Sequence, residues 1–441
     1  MESLLSWVQP NALIVSASIL IVAYIFIATE KIPKVTVALV GASLTLLLGL
    51  LGQEAKMGGA IVPHYFINYV DFNVVFLLVS MMIIVSIATR SGMFNWIANE
   101  MMIMTKGHPK TSLFLLALFT AVASAFLDNV TTVILVMPVT FAITKELDLN
   151  PVPYLITEIL ASNIGGTATL IGDPPNIIIG SAAGLTFLDF INELTGIVAI
   201  IFVAVIALMV LWFKKHLKTT PEKMARIAQM DNSGTIKDKW LMVRSLLVLT
   251  LVILGFVTHD ITHIQTSICA MAGASILLLF EKPSDILNDV EWSTIFFFIG
   301  LFIIIGGFER AGGIELMAKW LLDITHGSQA VASMVILWGS GFLSGIIDNI
   351  PYTATMAPMI SQISATQGAA FAAPMWWCLS LGACLGGNMT IIGAAANVIV
   401  SETAAANGHT IKFMEFLKYG LVVMLISLTL SSVYIWIRFL T

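Results

Sequence analysis

The stretch Asn163-Ile164-Gly165-Gly166-Thr167-Ala168-Thr169-Leu170-Ile171-Gly172-Asp173-Pro174-Pro175-Asn176 interrupts the apolar segment 153–183. Pro174 and Pro175 lack N–H donors and clash with the preceding turn, so no single helix passes through. The glycines allow the backbone to unwind and to approach a neighbour closely. The half-helix that begins near Pro174 turns its partly positive N-terminus into the break, while the half-helix before it offers bare carbonyls. Such a break can hold an anionic or hydroxylated group beside a cation.

A second stretch, Gly386-Gly387-Asn388-Met389-Thr390-Ile391-Ile392-Gly393-Ala394-Ala395-Ala396-Asn397, breaks the segment 372–403 in the same way. The two belong to an internal repeat. At a spacing of 221, Gly165-Gly166 pairs with Gly386-Gly387, Thr169 with Thr390, Gly172 with Gly393 and Asn176 with Asn397. At 220, Asp71 pairs with Glu291, Arg90 with Arg310, Ser124 with Ser344, Asp128-Asn129 with Asp348-Asn349 and Pro138 with Pro358. Gly41-Ala42-Ser43 echoes Gly273-Ala274-Ser275, offset by the longer loop at 52–70. The first repeat is assigned to 1–213, a linker to 214–241 and the second repeat to 242–441.

Each half also contains a helix–turn–helix, 111–147 and 329–365, whose tips carry Asp128-Asn129-Val130-Thr131-Thr132 and Asp348-Asn349-Ile350-Pro351-Tyr352-Thr353. Arms of 111–127 and 130–144 are short for full crossings, which predicts re-entrant hairpins. Broken backbone persists at membrane depth only inside protein or along a wet cavity. Five true spans per half, an odd number, put the second half in from the opposite side. The expected fold is therefore an all-α membrane protein of about 10 transmembrane helices. Two re-entrant hairpins complete it, in inverted-topology repeats.

Composition supports a membrane chain. Of 441 residues 58% are hydrophobic and 11% charged, with mean hydropathy +0.96, against about 25% charged residues in a soluble domain. Uncharged runs at 11–29, 35–53, 72–89, 194–213, 261–280 and 419–437 approach the ~20 residues that cross the hydrocarbon as a helix. Glu2, with no Lys or Arg before the first run, argues for a mature span over a cleaved signal. Lys214, Lys215, Lys218, Lys223, Arg226, Lys237 and Lys239 place the linker in the cytoplasm. Both termini then fall outside. Only Lys56, Arg310, Lys319 and Arg438 of the 21 basic residues join them there. No basic stripe suggests nucleic acid, and Cys269, Cys378 and Cys384 lie in apolar runs without zinc spacing.

Asp128, Asp173 and Asp348 sit among apolar residues, where an ionised Asp costs ~2.5–3.5 kcal/mol on the lenient scale. No Lys or Arg lies in either break. These acids are expected to carry protons or bind a cation such as Na⁺, with Asp128, Asn129, Asp348 and Asn349 as the sodium candidates. Asn163, Thr167, Thr169, Asn176, Asn388, Thr390 and Asn397 supply polar contacts. A citrate-like anion would meet the acids with only helix dipoles to attract it. His259, His263, His326 and His409 are read as solvated, Trp376-Trp377 as an interfacial belt, and the 22 methionines as packing. Glu158 is either a relay or an interfacial group, and Cys384 is read as small apolar packing near the second break.

At Ser124–Thr132 and Asn163–Asn176 the chain resembles the ion transporter superfamily. The branch is that of the ArsB arsenite permeases, the NhaD sodium/proton antiporters and the P protein of melanosomes. Sodium/dicarboxylate symporters share the architecture but carry Ser-Asn-Thr motifs at tips and breaks, and commonly Thr where this chain has Asp173. The resemblance implies a scaffold and a mobile transport subdomain, moving as an elevator, with dimerisation through the scaffold. It also implies exchange of arsenite or antimonite for protons, sometimes with a soluble ATPase partner. The expected function is a proton-coupled arsenite efflux antiporter of the cell membrane, acting on a small inorganic solute. No cofactor is expected beyond the coupling ion, H⁺ or Na⁺. Sodium/proton exchange comes second and carboxylate uptake third. A channel would need a continuous polar path, and no nucleophile–base pair or nucleotide loop suggests an enzyme.

Overall fold

The computed structural model describes residues 8–51, 55–57, 60–62, 68–228 and 232–441. Glu2 and most of the loop at 52–67 lie outside them. Apart from two paired three-residue strands, Ala55–Met57 and Ala60–Val62, the described chain is helical. In the first half run α1 (Ala12–Thr29), α2 (Lys34–Leu47), α3 (Phe72–Arg90), α4 (Met93–Met104), α5 (Pro109–Ser124), α6 (Asn129–Leu147), α7 (Val152–Gly166), α8 (Pro174–Ala183) and α9 (Phe187–Phe213). A short linker helix, α10 (Pro221–Ala228), follows. The second half continues with α11 (Lys239–Val257), α12 (Thr266–Leu278), α13 (Trp292–Arg310), α14 (Gly313–Ile324), α15 (Gln329–Ile347), α16 (Asn349–Gln367), α17 (Ala369–Gly386), α18 (Ala395–Ala406) and α19 (Phe413–Ile435). The helices of the two halves correspond one to one. First residues stand 220 apart for α3/α13 through α6/α16 and 221 apart for α8/α18, the spacings of the sequence repeat.

Among the described residues nine helices are long and apolar enough to cross a bilayer, and three more, Lys34–Leu47, Pro109–Ser124 and Thr266–Leu278, are apolar but shorter. Two expected spans are thus trimmed. The run 35–53 stops helical at Leu47, ahead of Gly49 in the left-handed region, and the run 261–280 starts only after His263, also left-handed. Conversely, three of the four hairpin arms are longer than short re-entrant arms, while α5, at 16 residues, matches its expected length closely. The 19 residues each of α6, α15 and α16 reach about 28 Å at 1.5 Å per residue.

The halves interlock. Helix α2 packs on α13 of the other half and α12 on α3. The tip helix α16 lies against α8, and α6 against α18. Helices α9 and α19 run antiparallel. Arg438 after α19 pairs with Glu193 at the start of α9 at 3.0 Å, while Trp212 at the end of α9 meets Tyr419 near the start of α19 at 4.8 Å. The linker clasps the first half: Thr219 donates to the Leu147 carbonyl, Asn232 joins Asn99 and Glu100, and Lys223 pairs with Asp148 at 2.7 Å. That lysine holds the exposed Asp148 carboxyl below the usual range.

What brings each hairpin against its broken helix is backbone-to-backbone contact. A Cβ on Gly165 in α7 would fall 2.1 Å from the Ala121 carbonyl oxygen of α5, and one on Gly386 in α17 would fall 2.5 Å from the Gly341 oxygen of α15. Small residues at helix crossings allow this in a membrane, where packing replaces the hydrophobic drive. The breaks themselves are tied by asparagine. The Asn176 amide donates to the carbonyls of Gly166, Thr167 and Thr169, and that of Asn397 to Gly387 and Thr390. These bonds satisfy carbonyls that the interrupted helices leave open.

Two outcomes are expected of purified protein in thermal unfolding. Gly165→Ala destabilises by about 1–3 kcal/mol through overpacking, while Gly196→Ala, with open space at its Cβ, leaves the midpoint unchanged. Asn176→Ala costs about 1–3 kcal/mol by stranding buried carbonyls, and Asn407→Ala, on an exposed amide, costs little.

Candidate functional site

The site is assembled around Asp173. This residue precedes α8, where a carboxylate ordinarily caps the helix, yet its side chain makes no capping hydrogen bond. It is fully buried and instead accepts from the tip asparagines of both halves. Asn129 Nδ2 lies 3.4 Å from Oδ1, and Asn349 Nδ2 lies 3.3 and 3.2 Å from Oδ1 and Oδ2. Ala394, its counterpart in the repeat, adopts the same extended backbone without the acid. The centre therefore holds one carboxylate, not two.

Around it opens a cavity of about 400 Å³ lined by Lys34, Asp128, Asn129, Asp173, Glu291, Thr294, Asp348 and Asn349, with apolar walls that include Phe297, Ile350 and Ile399. Of the twelve residues expected at the site, Asp128, Asn129, Asp173, Asp348 and Asn349 meet here. The other seven form the buried wall behind. Asn163 donates to Asn388 and Asn397, both at 3.0 Å, and accepts from Asn129 at 3.3 Å. Thr167, Thr169 and Thr390 bond the carbonyls of Asn163, Ala125 and Gly345. Asn176 accepts from Ser380 and Cys384, so Cys384 sits in the first break's bonding network. An unbroken amide chain thus runs from Asp173 through Asn129 and Asn163 to the second break.

The matched tips differ. Four residues, 125–128, join α5 to α6, and Asp128 caps α6 in the ordinary way, accepting from Thr131 N at 2.8 Å and Thr131 Oγ1 at 2.5 Å. A single residue, Asp348, joins α15 to α16, and its φ of 98° is strained for a side-chain-bearing residue. Its carboxylate accepts from Ile350 N at 3.1 Å and from Lys34 Nζ at 2.5 Å.

That lysine corrects an expectation. No base stands in either break, but Lys34, which opens α2, reaches the second tip from the first half, so helix dipoles are not alone in attracting an anion. In the sequence Glu291 stands out only as the repeat partner of Asp71. It stands at the start of α13, accepts from Thr294 at 3.0 Å and lines the cavity, whereas Asp71 caps α3 and bonds Ser181. Glu158 is buried in α7 with the Thr140 hydroxyl at 2.5 Å, inside the protein and not at an interface. Trp376 and Trp377 are also buried, at 6% and 5% exposure, with Trp377 edge-on to Phe190 at 5.3 Å. They are core, not an interfacial belt. His259, His263, His326 and His409 stand at helix ends away from the cavity.

Comparison with known proteins agrees with this architecture. The citrate transporter family model, CitMHS, matches residues 24–382. A 46 kDa membrane protein of Mycobacterium leprae is 40% identical over 430 residues, covering 97% of this chain and 99% of its own. An uncharacterized transporter of Mycobacterium tuberculosis is 39% identical over 429 residues, covering 97% and 98%. The P protein of Mus musculus is 31% identical over 502 positions, with 96% of this chain matching 60% of that longer protein. The crystal structure of the Alcanivorax borkumensis YdaH transporter shares the fold, with a TM-score of 0.52 at 15% identity over 94% of this chain and 98% of that one. The apolar spans and the relatives agree: the chain belongs to the CitMHS citrate transporter family, within the ion transporter superfamily, and is a secondary membrane transporter.

Proposed function

We propose that this transporter is a proton-coupled antiporter exporting a small hydroxylated inorganic solute of the arsenite or antimonite class. The observation that carries the reading is the meeting of both tip asparagines on one buried carboxylate, Asp173. A carboxylate held by amides, with no fixed base on it, is suited to taking up and releasing a proton as the solute comes and goes. Among the described residues the cavity sets four acids, Asp128, Asp173, Glu291 and Asp348, against one base, Lys34. It is rich in acceptors. Arsenite, neutral at pH 7, offers three hydroxyl donors to such a lining and carries no charge to be repelled.

The same surplus of carboxylates favours sodium/proton exchange as a second reading, with Asp128, Asn129, Asp348 and Asn349 as oxygen ligands. A free tricarboxylate, the class named in the family description, would need protons or a bound cation to offset those acids, and stands third. The repeats are proposed to be inverted, supported by the antiparallel α9 and α19, which are equivalent helices. Helices α5–α8 and α15–α18 would form the mobile subdomain, moving as an elevator against a dimeric scaffold, with or without a soluble ATPase. The setting proposed is a cell membrane with both termini outside and the 214–241 linker in the cytoplasm. Ion pairs that join segments assigned to one side, Arg90–Asp289 and Arg438–Glu193, support this topology.

Proteoliposomes under an imposed pH gradient separate the readings. Arsenite flux should follow the proton gradient; proton release driven by Na⁺ without arsenite flux would move the assignment to sodium, and citrate uptake would overturn both. Asp173→Asn, isosteric and still able to accept from Asn129 and Asn349, should keep its elution profile and melting midpoint while losing the pH dependence of transport. Undiminished coupling in that variant would remove Asp173 from the mechanism.

A further inference from the structure

Among the described residues Lys34 is the one base that lines the cavity, and it comes from the half opposite the tip it touches. Its ammonium stands between two carboxylates, 2.5 Å from Asp348 Oδ2 and 3.3 Å from Glu30 Oε1. Asp348 is buried in the cavity wall, whereas the Glu30 side chain is 31% exposed at the end of α1. The arrangement has no copy in the repeat. At the Gly41/Gly273 spacing, Lys34 corresponds to Thr266, and the matched Asp128 bonds Thr131 instead. Tyr24 of α1 reinforces the contact, donating to the Pro351 carbonyl at 2.5 Å and bonding Thr355 of α16. The first two helices therefore hold the second tip at its strained residue.

We infer that Lys34 is a tethered cation that latches the empty site: it occupies Asp348 until a transported cation or proton takes that carboxylate, and then passes to Glu30. The inference rests on the exchange reading above. When Asp348 is free, it is the stronger partner for Lys34, because a buried ion pair is little screened by water. When Asp348 is loaded, that attraction disappears and the half-exposed Glu30 retains the ammonium. The tip then parts from α2 with no charge left unpaired. The remaining ionisable groups facing this pair are Asp128, Asp173 and Glu291 across the cavity and Tyr24 from α1. None of them is basic, so among the described residues lining the cavity no second cation stands beside Lys34. An antiporter needs such a rule, since an empty carrier that reorients turns exchange into leak. Lys34 stays an ammonium throughout and acts here as a positioning residue, ferrying no proton across the membrane.

The test compares wild type, Lys34→Gln, Lys34→Arg and the double variant Lys34→Gln/Asp348→Asn, each first shown to fold by elution profile and melting midpoint. Hydrogen exchange of the tip amides 345–350 and 352 (Pro351 has none) is read with and without Na⁺, with and without arsenite, and at acid and neutral pH. Wild type should show a slow tip that quickens on loading or acidification. Lys34→Gln should be fast under every condition, and Lys34→Arg, which keeps the charge, should regain the slow state. In proteoliposomes Lys34→Gln should lose concentrative exchange and gain net solute efflux without counter-movement. The double variant, with a neutral pair, should recover melting temperature but not coupling. A slow, loading-sensitive tip in Lys34→Gln, or restored coupling in the double variant, would reduce the contact to a structural ion pair. If wild type moved no protons, the antiport reading would fail, while the exchange comparison would still decide the latch.

Discussion

Everything in this fold converges on a carboxylate that cannot be left alone. Asp173 lies in a bend that two prolines force open, and its neighbours in the chain offer it no cap. Its partners come from two hairpins more than 40 and 170 residues away in sequence. A buried acid with partial partners is costly; bringing both amides to it stabilises either the ionised or the protonated form. Because the two tips belong to different halves, anything that changes the charge of Asp173 is felt by both at once.

That convergence depends on crossings without side chains. Helix α5 meets α7, and α15 meets α17, at the near-contact of glycine with backbone, and bulkier residues would hold each hairpin away from its break. Asn176 and Asn397 then satisfy carbonyls that the breaks expose. The polar residues of the two breaks thus divide the work: asparagine and threonine keep the interrupted backbone bonded, and the single acid, Asp173, faces the cavity.

Much of this was legible in the sequence. The repeat spacing recurs in the starts of the helices, because segments derived from one pattern of turns and glycines fold alike. The Asp-Asn tips and the Gly-Asp-Pro-Pro-Asn bend announced themselves by placing polar, helix-breaking residues inside apolar runs. What was not legible came from contacts between halves. The role of Lys34 arises only when α2 packs on α13, and Glu291 shows in the sequence only as the repeat partner of Asp71 because the cavity is made by elements it does not adjoin in sequence. Helix ends were displaced where left-handed turns at Gly49 and His263 overrode hydropathy. The tryptophans were misplaced because an aromatic pair beside a break serves a core as readily as an interface.

The one-residue tip at Asp348 has a consequence for how this protein can change. Position 348 needs a backbone that only glycine adopts comfortably, and a side chain that glycine lacks. No residue satisfies both demands. Selection for robustness and selection for activity therefore pull in opposite directions at this position. The rest of the second hairpin, tightly packed against α17 through Gly341 and Gly345, supplies the stability that lets the compromise persist.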